Sequence, residues 1–191
     1  MKALEERILK DGKVYPGNIL KVDSFLNHQI DIKLMDEMAE AFYEKYKEAG
    51  INKIMTIEAS GIAIAYAVGR VFGVPMVFAK KSKSLNIGGD VYSSTITSYT
   101  YKKDYKIILS KNFLSEKDNV LIVDDFLATG SAMKGLLEIC RMAGAKVSGV
   151  GICIEKGFQK GGKEITEMGY DLTSLAVVEE MTDDGKIKFR N

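Results

Sequence analysis

Tryptophan is absent from this 191-residue chain, histidine occurs once, and proline and cysteine occur twice each. The lone histidine, His28, rules out multi-histidine metal sites and would have to serve any Ser-His-Asp triad. Cys140 and Cys153 lack metal-ligand spacing, and in a chain of this length they read as two small buried thiols of a reduced, cytoplasmic protein. Net charge is scarce too: 27 lysines and arginines against 26 acids leave +1, which argues against broad electrostatic binding to nucleic acid or an anionic membrane. Long apolar runs are missing. The longest, Gly61 to Ala79, is broken by Arg70, Gly73 and Pro75 and reads as a helix, a turn and a strand, not a membrane span. The opening MKALEERILKDG is charged and helical, without the apolar centre of a signal peptide. Function in such a chain has to be local.

What is present is core. Apolar residues make up 46% of the sequence, enough to exclude disorder as a description of the whole. The length suits one domain of roughly 100–200 residues, and no repeat, low-complexity tract or linker divides it. A first helix is expected from about Ala3 to Lys10. A second, capped by Asp31, carries Leu34, Met35, Met38, Phe42 and Tyr46 at helical spacing towards Gly50, an apolar stripe that reads as core. Strands are expected at Lys53–Glu58, Met76–Ala79, Asn119–Asp124, Lys146–Glu155 and Asp171–Val178. Helices at Ile62–Phe72, Ser131–Ala143 and Lys163–Met168 alternate with them. Near-continuous apolar strands separated by helices predict an α/β fold with a mostly parallel twisted sheet flanked by helices. In such sheets ligands bind beyond the carboxyl ends of the strands. Residues 82–105 interrupt the rhythm with a polar, hydroxyl-rich segment that reads equally as a β-hairpin or as a flexible lid over the site.

The strongest local signal is Val120-Leu-Ile-Val-Asp-Asp-Phe-Leu-Ala-Thr-Gly-Ser-Ala132. An apolar strand ends in Asp124 and Asp125, and a short loop then enters a helix through Ala128, Thr129, Gly130, Ser131 and Ala132. A helix start leaves backbone N–H groups unpaired and partially positive; Gly130 allows close approach, and Thr129 and Ser131 add hydroxyls, so the loop suits a phosphate monoester. Two acids would repel that phosphate, but they suit the hydroxyls of a sugar attached to it. Glu58-Ala-Ser-Gly61, also between a strand and a helix, offers a second anion site at Ser60 and Gly61. Lys80 and Lys81 follow the Met76–Ala79 strand, where two adjacent lysines read as a solvated loop end unless an anion binds beside them.

The Ile-Val-Asp-Asp-x-x-Ala-Thr-Gly run resembles the phosphoribosyl-diphosphate motif of the type I phosphoribosyltransferases. The segments Ile19–Gln29, Thr56–Gly61, Val77–Leu85 and Ile154–Gln159 extend the resemblance over essentially the full length, towards the purine branch and its bacterial members that act on xanthine. The resemblance implies a single domain over 1–191, with a core of about 36–155 and a small hood from segments of about 1–35 and 156–191. It also implies transfer of 5-phosphoribosyl from its 1-diphosphate (PRPP) to xanthine, a homodimer, and a role in purine salvage. Ala128–Ala132 would hold the 5′-phosphate, Asp124 and Asp125 the ribose hydroxyls, and Ser60 and Gly61 the pyrophosphate. Lys81 would neutralise the leaving group; the family has Arg-Lys where Lys80-Lys81 stands and commonly serine where Ala59 stands. Xanthine would meet the Leu20 backbone, the Asn27 amide and the Lys156 ammonium. Mg²⁺ is implied on the diphosphate substrate, with few direct protein ligands. The rivals are transfer to guanine, hypoxanthine or adenine, and a diphosphate-sensing regulator built on the same fold. Against the regulator, no helix-turn-helix pattern or basic patch precedes the first core strand.

Overall fold

A computed structural model describes residues 1–81, 90–98, 103–182 and 184–190. The chain runs α1 (Lys2–Asp11), β1 (Lys13–Tyr15), β2 (Ile19–Lys21), a π-type turn (Asp23–Asn27) and α2 (Ile32–Tyr46). Then follow β3 (Lys53–Ile57), α3 (Gly61–Phe72), β4 (Met76–Lys81), β5 (Val91–Ser98) and β6 (Lys103–Ser110). The last elements are β7 (Asn119–Leu127), α4 (Ser131–Ala143), β8 (Lys146–Lys156), α5 (Gly161–Glu167), β9 (Leu172–Met181) and β10 (Ile187–Phe189). Asp31 caps α2 as expected, its carboxylate accepting from the Leu34 N–H at 3.2 Å.

Eight strands form one sheet in the order β10-β9-β8-β7-β3-β4-β6-β5. The five central strands, β9 to β4, run parallel, while β10 at one edge and the β5–β6 hairpin at the other pair antiparallel. Alternation decides which side chains face which layer. Leu121 and Val123 join the cluster under α1, α2 and α3, whereas Val120 and Ile122 join the one under α4. A strand buried on both faces must be apolar at every position, which is why Val-Leu-Ile-Val reads as an unbroken run. The stripe Leu34, Met35, Met38, Phe42 and Tyr46 is buried against the sheet. The Tyr46 phenol reaches the carbonyls of Val150 and Asp171 and the Thr173 hydroxyl, and burial pushes its pKa up to about 12.

One expectation is revised. β7 does not stop at Asp124. It pairs with β3 only as far as Met55–Ile122, but with β8 onward to Leu127–Glu155, so the two aspartates lie within a strand that overhangs its β3 neighbour. Of the 82–105 segment, residues 82–89 and 99–102 lie outside the described residues; of the remainder, 91–98 form β5 and 103–105 begin β6, which fits the β-hairpin reading. Strand order reverses between β3 and β7, because β4 lies on one side of β3 and β7 on the other. Doubly wound sheets open a crevice at the carboxyl ends of such a pair. A two-stranded hairpin, β1–β2, stands apart from the sheet and approaches this crevice.

Candidate active site

The crevice is built where β7 overhangs. Asp124 and Asp125 are only 5% and 7% exposed, and the Asp125 N–H donates to Asp124 Oδ1 at 3.0 Å. Burial first, and then the charge of Asp125, hold the Asp124 carboxyl well above the usual carboxylate range; the Lys81 ammonium pulls the other way. Two carboxyls placed so closely suit ligand groups that donate hydrogen bonds, such as paired hydroxyls.

Gly130 takes a left-handed φ of 80° at the start of α4, a turn that glycine makes without a Cβ clash. No side chain caps this helix start. The Thr129 and Ser131 hydroxyls lie 3.1 Å apart beside it. Ala128 to Met133 line one wall of a cavity of about 480 Å³, with Gly17, Asn18 and Ile19 of the β1–β2 hairpin, Tyr105, Phe126 and Lys156 around it. The loop is braced from behind. The Gly161 N–H donates to the Ala128 carbonyl at 3.0 Å, turning that oxygen towards α5. A neighbouring carbonyl aimed at an anion would repel it, so this contact favours a nest of N–H groups.

The turn after β3 is the one read from sequence as a second anion site. The Glu58–Ala59 peptide is cis, Ser60 is exposed at the start of α3, and Gly61 is buried. A Cβ on Gly61 would stand 1.9 Å from Thr56 Oγ1 and 2.8 Å from Asp124 Oδ1, so this turn packs directly on the acid pair. Glu58 Oε1 accepts from the Lys81 N–H at 2.6 Å, tying the end of β3 to the end of β4. Alternation sends the two lysines to opposite faces. Lys80 lies over the Phe78 ring and Lys81 over the Tyr105 ring, at 5.8 and 5.6 Å.

On the far side, Lys156 ends β8, and its Nζ donates to the Asn18 carbonyl at 2.7 Å and lies 5.8 Å from the centre of the Phe126 ring. Burial lowers its pKa. Ala128–Ala132 and Lys156 therefore share one cavity, while Asp124, Asp125, Lys81, Ser60 and Gly61 gather at the adjoining strand ends. Leu20, buried in β2, and Asn27, exposed in the π-type turn, are not among the residues lining that cavity. His28 is exposed. Sequence reasoning missed Asn18, Tyr105, Phe126 and Gly161. Phe126, between the acid pair and the loop, is the one that strand alternation could have flagged; the others are brought in by long-range register.

No cluster of three or more histidine, cysteine, aspartate or glutamate side chains stands ready for a metal among the described residues. No helix is long and apolar enough to cross a membrane among them.

The sequence pattern of the phosphoribosyl transferase domain matches residues 21–179. The chain is 56% identical to the xanthine phosphoribosyltransferase of Bifidobacterium adolescentis over 193 residues, covering 100% of both chains. It is 54% identical to the xanthine phosphoribosyltransferase of Finegoldia magna, covering 98% of each. Among solved structures, APRTase from Giardia lamblia, complexed with 9-deazaadenine, superposes with a TM-score of 0.79 at 23% identity, over 93% of this chain and 98% of that one. Adenine phosphoribosyltransferase from Rhodothermus marinus superposes with a TM-score of 0.77 at 20% identity, over 93% and 100%. These two likenesses show the fold.

Proposed function

Because the chain belongs to the phosphoribosyl transferase domain family, we propose that it transfers 5-phosphoribosyl from PRPP to xanthine, giving xanthosine 5′-monophosphate and pyrophosphate in purine salvage. One observation carries the reading: a buried acid pair beside an uncapped, glycine-started helix, at the point where strand order reverses. The N–H groups from Ala128 to Ala132 hold the 5′-phosphate. Asp124 and Asp125 accept from the ribose hydroxyls, which replace the carboxyls' contact with each other. Ser60 and Gly61 receive the pyrophosphate, and Lys81 compensates its charge.

Loss of pyrophosphate from C1 builds positive charge on the ribose ring, as glycosyl transfer does generally. The protein's part is to hold base, ribose and leaving group in line and to exclude water that would hydrolyse the donor. Lys156 faces the xanthine carbonyl that hypoxanthine lacks. The Leu20 backbone and the Asn27 amide approach from the hood, whose hairpin already meets Lys156 through Asn18. With no protein cage among the described residues, the Mg²⁺ expected from the family would arrive on substrate oxygens and water. When bound there it would neutralise the diphosphate.

The same reading takes residues 1–191 as a single domain with the N-terminal segment of about 1–35 as a small hood. A homodimer is supported by Ile32 and Tyr66, about two-thirds exposed on the α2–α3 face. A cytoplasmic setting is supported by the free, buried Cys140 and Cys153. The decisive assay mixes protein, PRPP, Mg²⁺ and each purine in turn and follows nucleotide formation. Turnover fastest with xanthine is expected. Turnover with no purine would remove the enzymatic reading, and preference for guanine, hypoxanthine or adenine would correct the substrate.

A further inference from the structure

Tyr105 is an aromatic ring held at the mouth of the phosphoribose cavity by strand register alone. Lys81 pairs with Ile107 in the β4–β6 ladder, and Tyr105 lies two residues along β6, on the same face and diagonal to Lys81. Its own cross-strand partner is Ile96, which lines the same cavity. The Lys81 ammonium sits 5.6 Å from the Tyr105 ring centre, within cation–π range. The charge of Lys81 also reaches Asp124. The charge of Asp124 in turn reaches the Tyr105 phenol, whose pKa is raised by burial and by that carboxylate. Three groups therefore converge on one spot, and two of them, the ring and the acid pair, compete for the third.

We infer that Tyr105 is a positioning residue for Lys81: its ring holds the ammonium towards the leaving diphosphate and off the acid pair, which stays free for the ribose hydroxyls. A lysine side chain has several rotatable bonds, and next to two carboxyls an unheld ammonium would collapse onto them. The ring attracts the cation without offering a lone pair, so it orients Lys81 without neutralising it. The inference rests on the proposed role of Lys81 at the diphosphate.

The test compares wild type with Tyr105→Phe, Tyr105→Leu, Lys81→Ala and the Leu/Ala double variant, by steady-state kinetics and by calorimetric titration of PRPP into each protein. For an exposed ammonium such as that of Lys81, a cation–π contact predicts a rise of about two- to fivefold in KM for PRPP in Tyr105→Leu. KM for xanthine should change less than about twofold, Tyr105→Phe should stay near wild type, and the double variant should be no worse than Lys81→Ala. A Leu variant indistinguishable from wild type overturns the inference. So does a double variant that adds the full Tyr105→Leu loss to that of Lys81→Ala, or equal losses for both substrates, which would mark a merely structural ring. Failure of wild type to form nucleotide would instead strike the proposed reaction, and calorimetry with PRPP would still report on the ring and the lysine.

Discussion

Replacing Gly161 with alanine should cripple binding of the phosphoribosyl donor while leaving the protein folded. A Cβ at this position would stand 2.4 Å from the Ala128 carbonyl oxygen and 2.8 Å from the Gly130 nitrogen. Both are backbone atoms of the phosphate loop, so no flexible side chain can yield. An ordinary C···O approach of about 3.3 Å requires the loop and α5 to part by roughly 0.9 Å. That stretches the 3.0 Å bond from the Gly161 N–H to Ala128 and frees the carbonyl to turn back towards the phosphate. Losing a buried hydrogen bond costs about 1–3 kcal/mol, or roughly 2–4 °C of Tm per kcal/mol in a chain of this size. A misplacement of about 1 Å in a catalytic cradle can cost about a hundredfold in rate. We expect kcat/KM for PRPP to fall by about 10- to 100-fold. Gly169→Ala is the control: its φ of 88° also penalises a side chain, but nothing lies within 4 Å, so it should lower Tm and leave KM alone. Kinetics of Gly161→Ala within twofold of wild type would refute the view that this contact shapes the anion site.

Three other outcomes follow from the same geometry. Asp124→Asn should raise Tm by about 2–4 °C at pH 8, the effect of about 1 kcal/mol, while abolishing turnover. The sign follows from a folded-state pKa above the unfolded value of 3.8: wild type binds the extra proton when folded, so its stability falls as pH rises through that interval, and thermal melts of the variant should lack this fall. Gly61→Ala should reduce activity at least tenfold, because its Cβ would press on Thr56 Oγ1 and on Asp124; kinetics matching wild type would contradict that packing. Lys156→Ala should lose more with xanthine than with hypoxanthine by about 10-fold or more, the worth of one charge-assisted hydrogen bond, in side-by-side rates; an equal loss with both bases would refute the base assignment.

Much of this fold is legible because the central strands are buried on both faces and so write unbroken apolar runs, as in Val120–Val123. Helix ends were equally plain: Asp31 caps α2, and Gly144 closes α4 with a left-handed φ of 71°. The length of β7 was hidden, because Asp124 and Asp125 look like a polar strand end when only the ladder to β8 carries the strand past them. The β1–β2 hairpin and β10 escaped because three-residue strands are too short for a period to show. The proposed phosphate loop could be located directly, since the acid pair and the helix start it enters lie within nine consecutive residues, 124–132. Asn18, Tyr105 and Gly161 could not, since each enters through a contact far away in sequence: with Lys156, Lys81 and Ala128. The choice of base rests on Lys156 and on likeness to relatives, not on the phosphate loop.

A crystal structure of the protein with xanthosine 5′-monophosphate tests the central claim most directly. The account requires the 5′-phosphate to sit against the N–H groups of residues 129–132, with the ribose hydroxyls within about 3 Å of Asp124 and Asp125. A nucleotide bound elsewhere, with that corner filled only by water, would contradict it.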